Sequence, residues 1–179
     1  QVSSKNILQK YFGEESLIIK TLVENTDSSI SVLTVNEEQP AMLKISGGLG
    51  TDKEIIRLTL EEMISRNVFS EDRIKVIFEK HKKYLEKFVM KLGEDAVKSL
   101  NLKTSMHPEI LKLIGSLNYR TSHRQNQYYH SLEVARLAGM IADEMGVDCE
   151  LAKRSGILHD IGKVLDYKIE GSHAVISGD

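Results

Sequence analysis

The spacing of apolar residues changes near Ser70, and that change limits the folds open to this chain. Beyond it, Ile74, Ile77, Phe78, Leu85, Phe88, Val89 and Leu92 recur at offsets of three, four and seven, the spacing that lines one face of an α-helix. Ser70 is a suitable N-cap for that helix, and its opposite face is rich in lysine. Before Ser70, the β-branched run Ile30-Ser31-Val32-Leu33-Thr34-Val35 breaks over 36–40 and resumes as an apolar run over 41–46, which predicts a hairpin with a long loop. Helices are expected over 5–11 and 17–24, and another, capped by Thr51 or Asp52, runs to about residue 66. The expected fold is an α+β N-terminal domain over 1–69 in the order helix, helix, strand, strand, helix. A connecting helix and linker over 70–104, less regular after Gly93, leads to a domain over 105–179 made only of helices. Pro108 opens that domain, since proline suits the first turn of a helix.

Composition narrows the functions. The 41% hydrophobic and 28% charged content suits a folded chain. A formal net charge of -2 excludes a globally basic nucleic-acid binder, so any phosphate-binding patch must be local. A lone cysteine, Cys149, cannot close an internal disulfide. No apolar run is long enough to cross a bilayer. The chain starts at Gln1 rather than Met, so further sequence is expected upstream.

The residues with the most chemistry lie near the end. A helix over 125–145 puts Val134, Leu137, Ala138, Ile141 and Met145 on one face, and His130, four before Val134, shares it. The next helix, capped by Asp148, turns Leu151, Ala152, Ser155 and Leu158 inward and ends at His159-Asp160 just before Gly162. Two inward imidazoles from adjacent helices and a carboxylate at a helix end form a mixed nitrogen and oxygen set suited to a divalent metal. Lys163 follows His159 by four and is placed either to meet a phosphate or to be a solvated surface lysine. His81, on the seam of the connecting helix, His107, before Pro108, and His123 read as structural.

The strings His130-Ser131-Leu132-Glu133-Val134-Ala135 and His159-Asp160-Ile161-Gly162-Lys163 together resemble the HD phosphohydrolase superfamily. Read with His107-Pro108-Glu109-Ile110-Leu111, Tyr119-Arg120-Thr121-Ser122, Gln125-Asn126 and Glu170-Gly171-Ser172-His173, the match over about 106–173 resembles the ribonuclease Y family. The resemblance implies a metal-dependent endoribonuclease acting on single-stranded RNA in mRNA decay or processing, with one or two divalent ions (Mn, Mg or Zn). It implies His130, His159 and Asp160 as metal ligands, Asp160 and Lys163 as catalytic groups, and His173 as ligand to a second metal. Lys163 and Arg120 would meet substrate phosphate. For Arg120 an architectural reading stands beside this one, because Ser122 and Gln125 have the spacing of a capping box. The resemblance further implies a cytoplasmic homo-oligomer, with room for an upstream anchor to the inner face of the membrane.

The region before Ser70 resembles the family's type I KH domain in element order and length. The stretch matching its RNA-binding loop is Gly13-Glu14-Glu15-Ser16. Serine replaces the second glycine, and the paired carboxylates repel phosphate, so a KH fold retained for packing is favoured over one that binds RNA. Lys82, Lys83, Lys87 and Lys91 offer phosphate contacts or simply a solvated helix face. The family's last metal-ligating aspartate lies well past the Gly-Ser-His segment, whereas Asp179 follows His173 by only six residues. Weak metal binding, little activity and partly exposed inward faces on the last two helices are therefore expected. Two other functions fit the residues: a cyclic-dinucleotide or nucleotide phosphohydrolase of the same chemistry, and a non-catalytic RNA-binding or scaffold module.

Overall fold

Ser16 accepts a hydrogen bond from the Ile19 amide at 3.5 Å and so begins α1, Leu17–Glu24. The structure is a computed structural model that describes residues 11, 16–33, 42–169 and 172–178. The expected helix over 5–11 and the Gly13, Glu14 and Glu15 part of the loop lie outside the described residues, apart from Tyr11. The chain divides into two compact units, Gln1–Tyr84 and Leu85–Asp179.

In the first unit α1 is followed by an antiparallel hairpin, β1 (Ser28–Leu33) with β2 (Met42–Gly47), paired from Ser28↔Gly47 to Leu33↔Met42. Gly47 and Gly48 then take left-handed φ values of 72° and 60°, which glycine adopts without steric cost. A side chain on Gly48 would also overlap the Ser28 hydroxyl. Helix α2, Gly50–Arg66, begins earlier than expected, with Leu49 as N-cap and no side-chain cap; Thr51 and Asp52 sit inside its first turn. Helix α3, Glu71–Ser99, follows. The core of this unit is Ile18, Leu22, Ile55, Ile56, Leu60, Met63, Ile74, Ile77 and Phe78, all buried. Glu62 of α2 ties α3 to it, with Lys80 Nζ at 2.8 Å and His81 Nε2 at 2.8 Å from its carboxylate.

Gly93 does not interrupt α3, which runs on to Ser99; the expected irregular stretch after Gly93 is helical for a further turn and a half. Close packing explains a glycine here. A Cβ on Gly93 would overlap the backbone of Leu111, and one on Gly115 would overlap the carbonyl of Val89. Residues Leu111 and Gly115 belong to α4, Pro108–Ser116, whose N-cap is His107. Each helix thus gives up one side chain so that the two backbones can meet.

The second unit is not made only of helices. After a 3-10 turn, Leu117–Tyr119, β3 (Thr121–Ser122) and β4 (Gln125–Asn126) form a short antiparallel ladder. His123 and Arg124, at φ 48° and 65°, close it, and two consecutive positive φ values are what a two-residue hairpin turn requires. Ser122 and Gln125 are therefore ladder partners rather than a capping box. Asn126 caps the next helix by accepting from the Tyr128 and Tyr129 amides. That helix is α5, Gln127–Glu144. Asp148 caps α6, Cys149–Leu158, as expected. A 3-10 turn, Ile161–Val164, and a short α7, His173–Gly178, follow.

Helix α5 is turned differently from expectation. Its buried residues are Gln127, Tyr128, Ser131, Leu132, Ala135, Gly139 and Ala142. Leu137, Ile141 and Met145, expected inward, are 52%, 59% and 70% exposed, and Leu151 of α6 is 62% exposed. The small side chains pack because α5 and α6 meet closely, as a Cβ on Gly156 would run into the Ala135 backbone. Tyr128 fills the core end of α5 and donates to the Leu92 carbonyl at 3.0 Å.

Two measurements check this packing. Gly115→Ala is expected to destabilise the protein by about 2–3 kcal/mol in urea titration, because its methyl group meets backbone. Lys80 hydrogen-bonds Glu62 and holds its carboxyl below the ordinary 4.5, with partial burial opposing and Arg66 and His81 assisting. A folded pKa below the unfolded one stabilises above 4.5 and loses that contribution as pH falls through the folded value. Glu62→Gln should therefore cost up to about 1 kcal/mol at neutral pH, and thermal melts should show the difference vanishing in more acidic solution.

Candidate metal centre

The close contact of Gly156 with Ala135 brings the end of α6 beside the first turns of α5. His159 follows Leu158 directly, and its Nδ1 lies 2.7 Å from the Gly156 carbonyl. A carbonyl only accepts, so Nδ1 carries the hydrogen, and in the neutral imidazole the lone pair is then on Nε2. That Nε2 is 3.1 Å from Asp160 Oδ2. His130 Nε2 is 3.7 Å from the same oxygen, and the two imidazole rings meet edge to face with centroids 5.3 Å apart. One ligand atom from each of His130, His159 and Asp160 falls within a 4.8 Å group.

Asp160 is buried, at 7% exposure. Burial pushes its carboxyl up, but the hydrogen bond from Lys163 and the pull of His159, Lys163 and His173 outweigh it and leave the group below the usual carboxylate range. It is ionised at neutral pH. The ionised oxygen 3.1 Å from His159 Nε2 already carries the Lys163 ammonium at 2.7 Å, which marks it as a position for positive charge. Two neutral imidazole nitrogens and one carboxylate oxygen are the donor set of first-row divalent ions, so these residues fit a metal.

Lys163 Nζ donates to Asp160 Oδ2 at 2.7 Å and to Gln127 Oε1 at 2.8 Å. His173 Nε2 stands 3.6 Å from the other oxygen, Oδ1, with its side chain 47% exposed; it borders the centre but is outside the three-residue group. Arg120 is engaged elsewhere, its Nη2 donating to Asp166 Oδ2 at 2.6 Å. Ser16 caps α1. Lys82, Lys83, Lys87 and Lys91 are exposed on α3.

Two residues at or near the centre escaped the sequence reading. Asp166, the partner of Arg120, carries no local signal. Gln127 does, because it lies four and eight residues before Ser131 and Ala135 and so shares their buried face; its amide hid it, because glutamine is usually a surface residue.

A family profile for the HD domain matches residues 128–178. Ribonuclease Y of Fusobacterium nucleatum subsp. nucleatum is 41% identical over 170 residues, covering 95% of this chain and 32% of that protein. Ribonuclease Y of Acetivibrio thermocellus is 41% identical over the same length and shares. Ribonuclease Y of Pseudothermotoga lettingae is 36% identical over 176 residues, covering 98% of this chain and 34% of that protein. No solved structure gave a significant match. The chain spans about a third of the length of these relatives. With an HD profile laid over the helices that carry His130, His159 and Asp160, and homology along nearly all of its length, the chain belongs to the ribonuclease Y family.

Proposed function

We propose that this chain carries the metal-binding part of a divalent-metal-dependent endoribonuclease that hydrolyses phosphodiester bonds of single-stranded RNA. The observation that carries the proposal is the convergence of His130, His159 and Asp160 on one point with Lys163 alongside. A divalent ion in such a set supplies Lewis acidity, polarising a phosphoryl oxygen and lowering the pKa of water. The protein supplies the rest. The Gly156 carbonyl fixes the His159 tautomer, which orients Nε2 inward. Asp160 contributes an anionic oxygen, and Lys163 places a cation where charge builds up on the phosphate. RNA as substrate rests on the names of the relatives.

The remaining features of the family reading are proposals of the same kind. The order α1, β1, β2, α2 in the first unit supports a KH-like domain. His173 would hold a second metal. A phosphate reaching Arg120 would have to compete with Asp166 for the guanidinium. Homo-oligomerisation, a cytoplasmic location and an anchor in additional upstream sequence complete the reading; no helix among the described residues is long and apolar enough to cross a membrane. The donor set by itself specifies phosphate-ester hydrolysis, which keeps a cyclic-dinucleotide or nucleotide phosphohydrolase as the second reading.

Assays with excess Mn2+ on single-stranded RNA and on a cyclic dinucleotide separate the two. RNA cleavage is expected and cyclic-dinucleotide turnover is not; the reverse pattern would establish the second reading. Among the described residues the centre offers three ligand atoms, which leaves coordination positions for water and a phosphate oxygen. Asp160→Asn should remove both Mn2+ uptake and cleavage. Lys163→Met should retain Mn2+ uptake while slowing cleavage about 100-fold, the usual scale for removing one charge-stabilising donor.

A further inference from the structure

Gln127 is a buried amide, 2% exposed, in the first turn of α5. Burying an amide is costly unless its polar atoms find partners, and here they do. Its Nε2 donates to the carbonyls of Gln125 at 3.2 Å and Ser122 at 3.4 Å. With the nitrogen held on the hairpin side, Oε1 is left to accept from Lys163 Nζ at 2.8 Å. The hairpin therefore orients the amide, and the amide orients the ammonium. His130 lies three residues further along the same helix, so one turn carries both a ligand of the centre and the neutral partner of its lysine.

The same lysine also sits on Asp160 Oδ2 at 2.7 Å. That is the oxygen nearest both His159 Nε2 and His130 Nε2, and hence the one a cation shared by the two imidazoles must use. Lys163 and a divalent ion compete for it. A lysine with Asp160 as its only acceptor would lose its sole partner when displaced, and, being only 13% exposed, could not readily replace that partner with water. We propose that Gln127 is a positioning residue for the metal centre: it keeps the Lys163 ammonium bonded beside Asp160 when a divalent ion takes Oδ2. The lysine then remains next to the ion.

The inference rests on the reading of His130, His159 and Asp160 as a divalent-metal centre, and Mn2+ affinity of the 179-residue chain tests both. Free Mn2+ would be followed by electron paramagnetic resonance, a readout independent of catalysis, in the parent, Q127L, Q127E, K163M, Q127L/K163M and D160N. Q127L should weaken Mn2+ binding about tenfold, the scale for losing an outer partner of a metal site. K163M should bind more tightly than the parent because the competing cation is gone. Adding Q127L to K163M should then change affinity by less than about twofold. Q127E, which keeps an acceptor oxygen toward Lys163, should bind at least as tightly as the parent. If Q127L weakens binding equally with and without Lys163, Gln127 serves only to hold the hairpin, and the inference is overturned while the metal centre stands. If Q127E weakens binding as Q127L does, the acceptor role fails in the same way. Uptake in the parent no greater than in D160N would sink the metal reading itself, and the inference with it.

Discussion

Gly156 has no room for a side chain, because a Cβ there would run into the backbone of Ala135. Much of the second unit follows from that contact. It sets α5 against α6 through small residues, and it places the carboxyl end of α6 level with the amino end of α5. Only this arrangement lets His159 and Asp160, consecutive in sequence, face a histidine 29 positions earlier. The same Gly156 offers its carbonyl to His159 Nδ1. One residue thus determines both how near the imidazole comes and which nitrogen it presents.

Burying a carboxylate is costly unless it finds partners, and here three potential ligand atoms lie within 4.8 Å of one another. Lys163 offsets part of the cost by bonding Asp160 directly, and its hydrogen bond is the first influence after burial on the acidity of that carboxyl. The arrangement is therefore tolerable without a metal yet remains suited to one, since an ammonium and a divalent ion seek the same oxygen.

The nearness of His130, His159 and Asp160 was legible in the sequence because it is local in pattern. His130 and the His159-Asp160 pair carry their own signatures, and Asp148 announces the start of α6. The α3 periodicity was equally plain. What sequence spacing hid depends on neighbours. Large apolar residues usually define the buried face of a helix, but α5 buries Ala135, Gly139 and Ala142 and exposes Leu137, Ile141 and Met145, because the approach of α6 rewards small side chains over large ones. Gly93 looked like a helix end for a related reason: glycine is a weak helix former, and its packing against Leu111 is invisible without the tertiary structure. Ser122 and Gln125 had cap spacing, yet the positive φ of His123 and Arg124 makes them ladder partners.

That rotation of α5 has a consequence for the centre. A helix that buried Leu137 and Ile141 would carry His130 and Val134 inward with them and turn Ala135, Gly139 and Ala142 toward solvent, since the two sets lie on neighbouring stripes. In the observed setting His130 is at the boundary, its side chain 27% exposed, and it is still adjacent to Asp160. Gln127 is fully inside. The hairpin carbonyls hold the amide inside, while the helix leaves His130 partly open to solvent. The hydrogen bond from Lys163 to Gln127 forms away from water, where it is electrostatically stronger than at the surface.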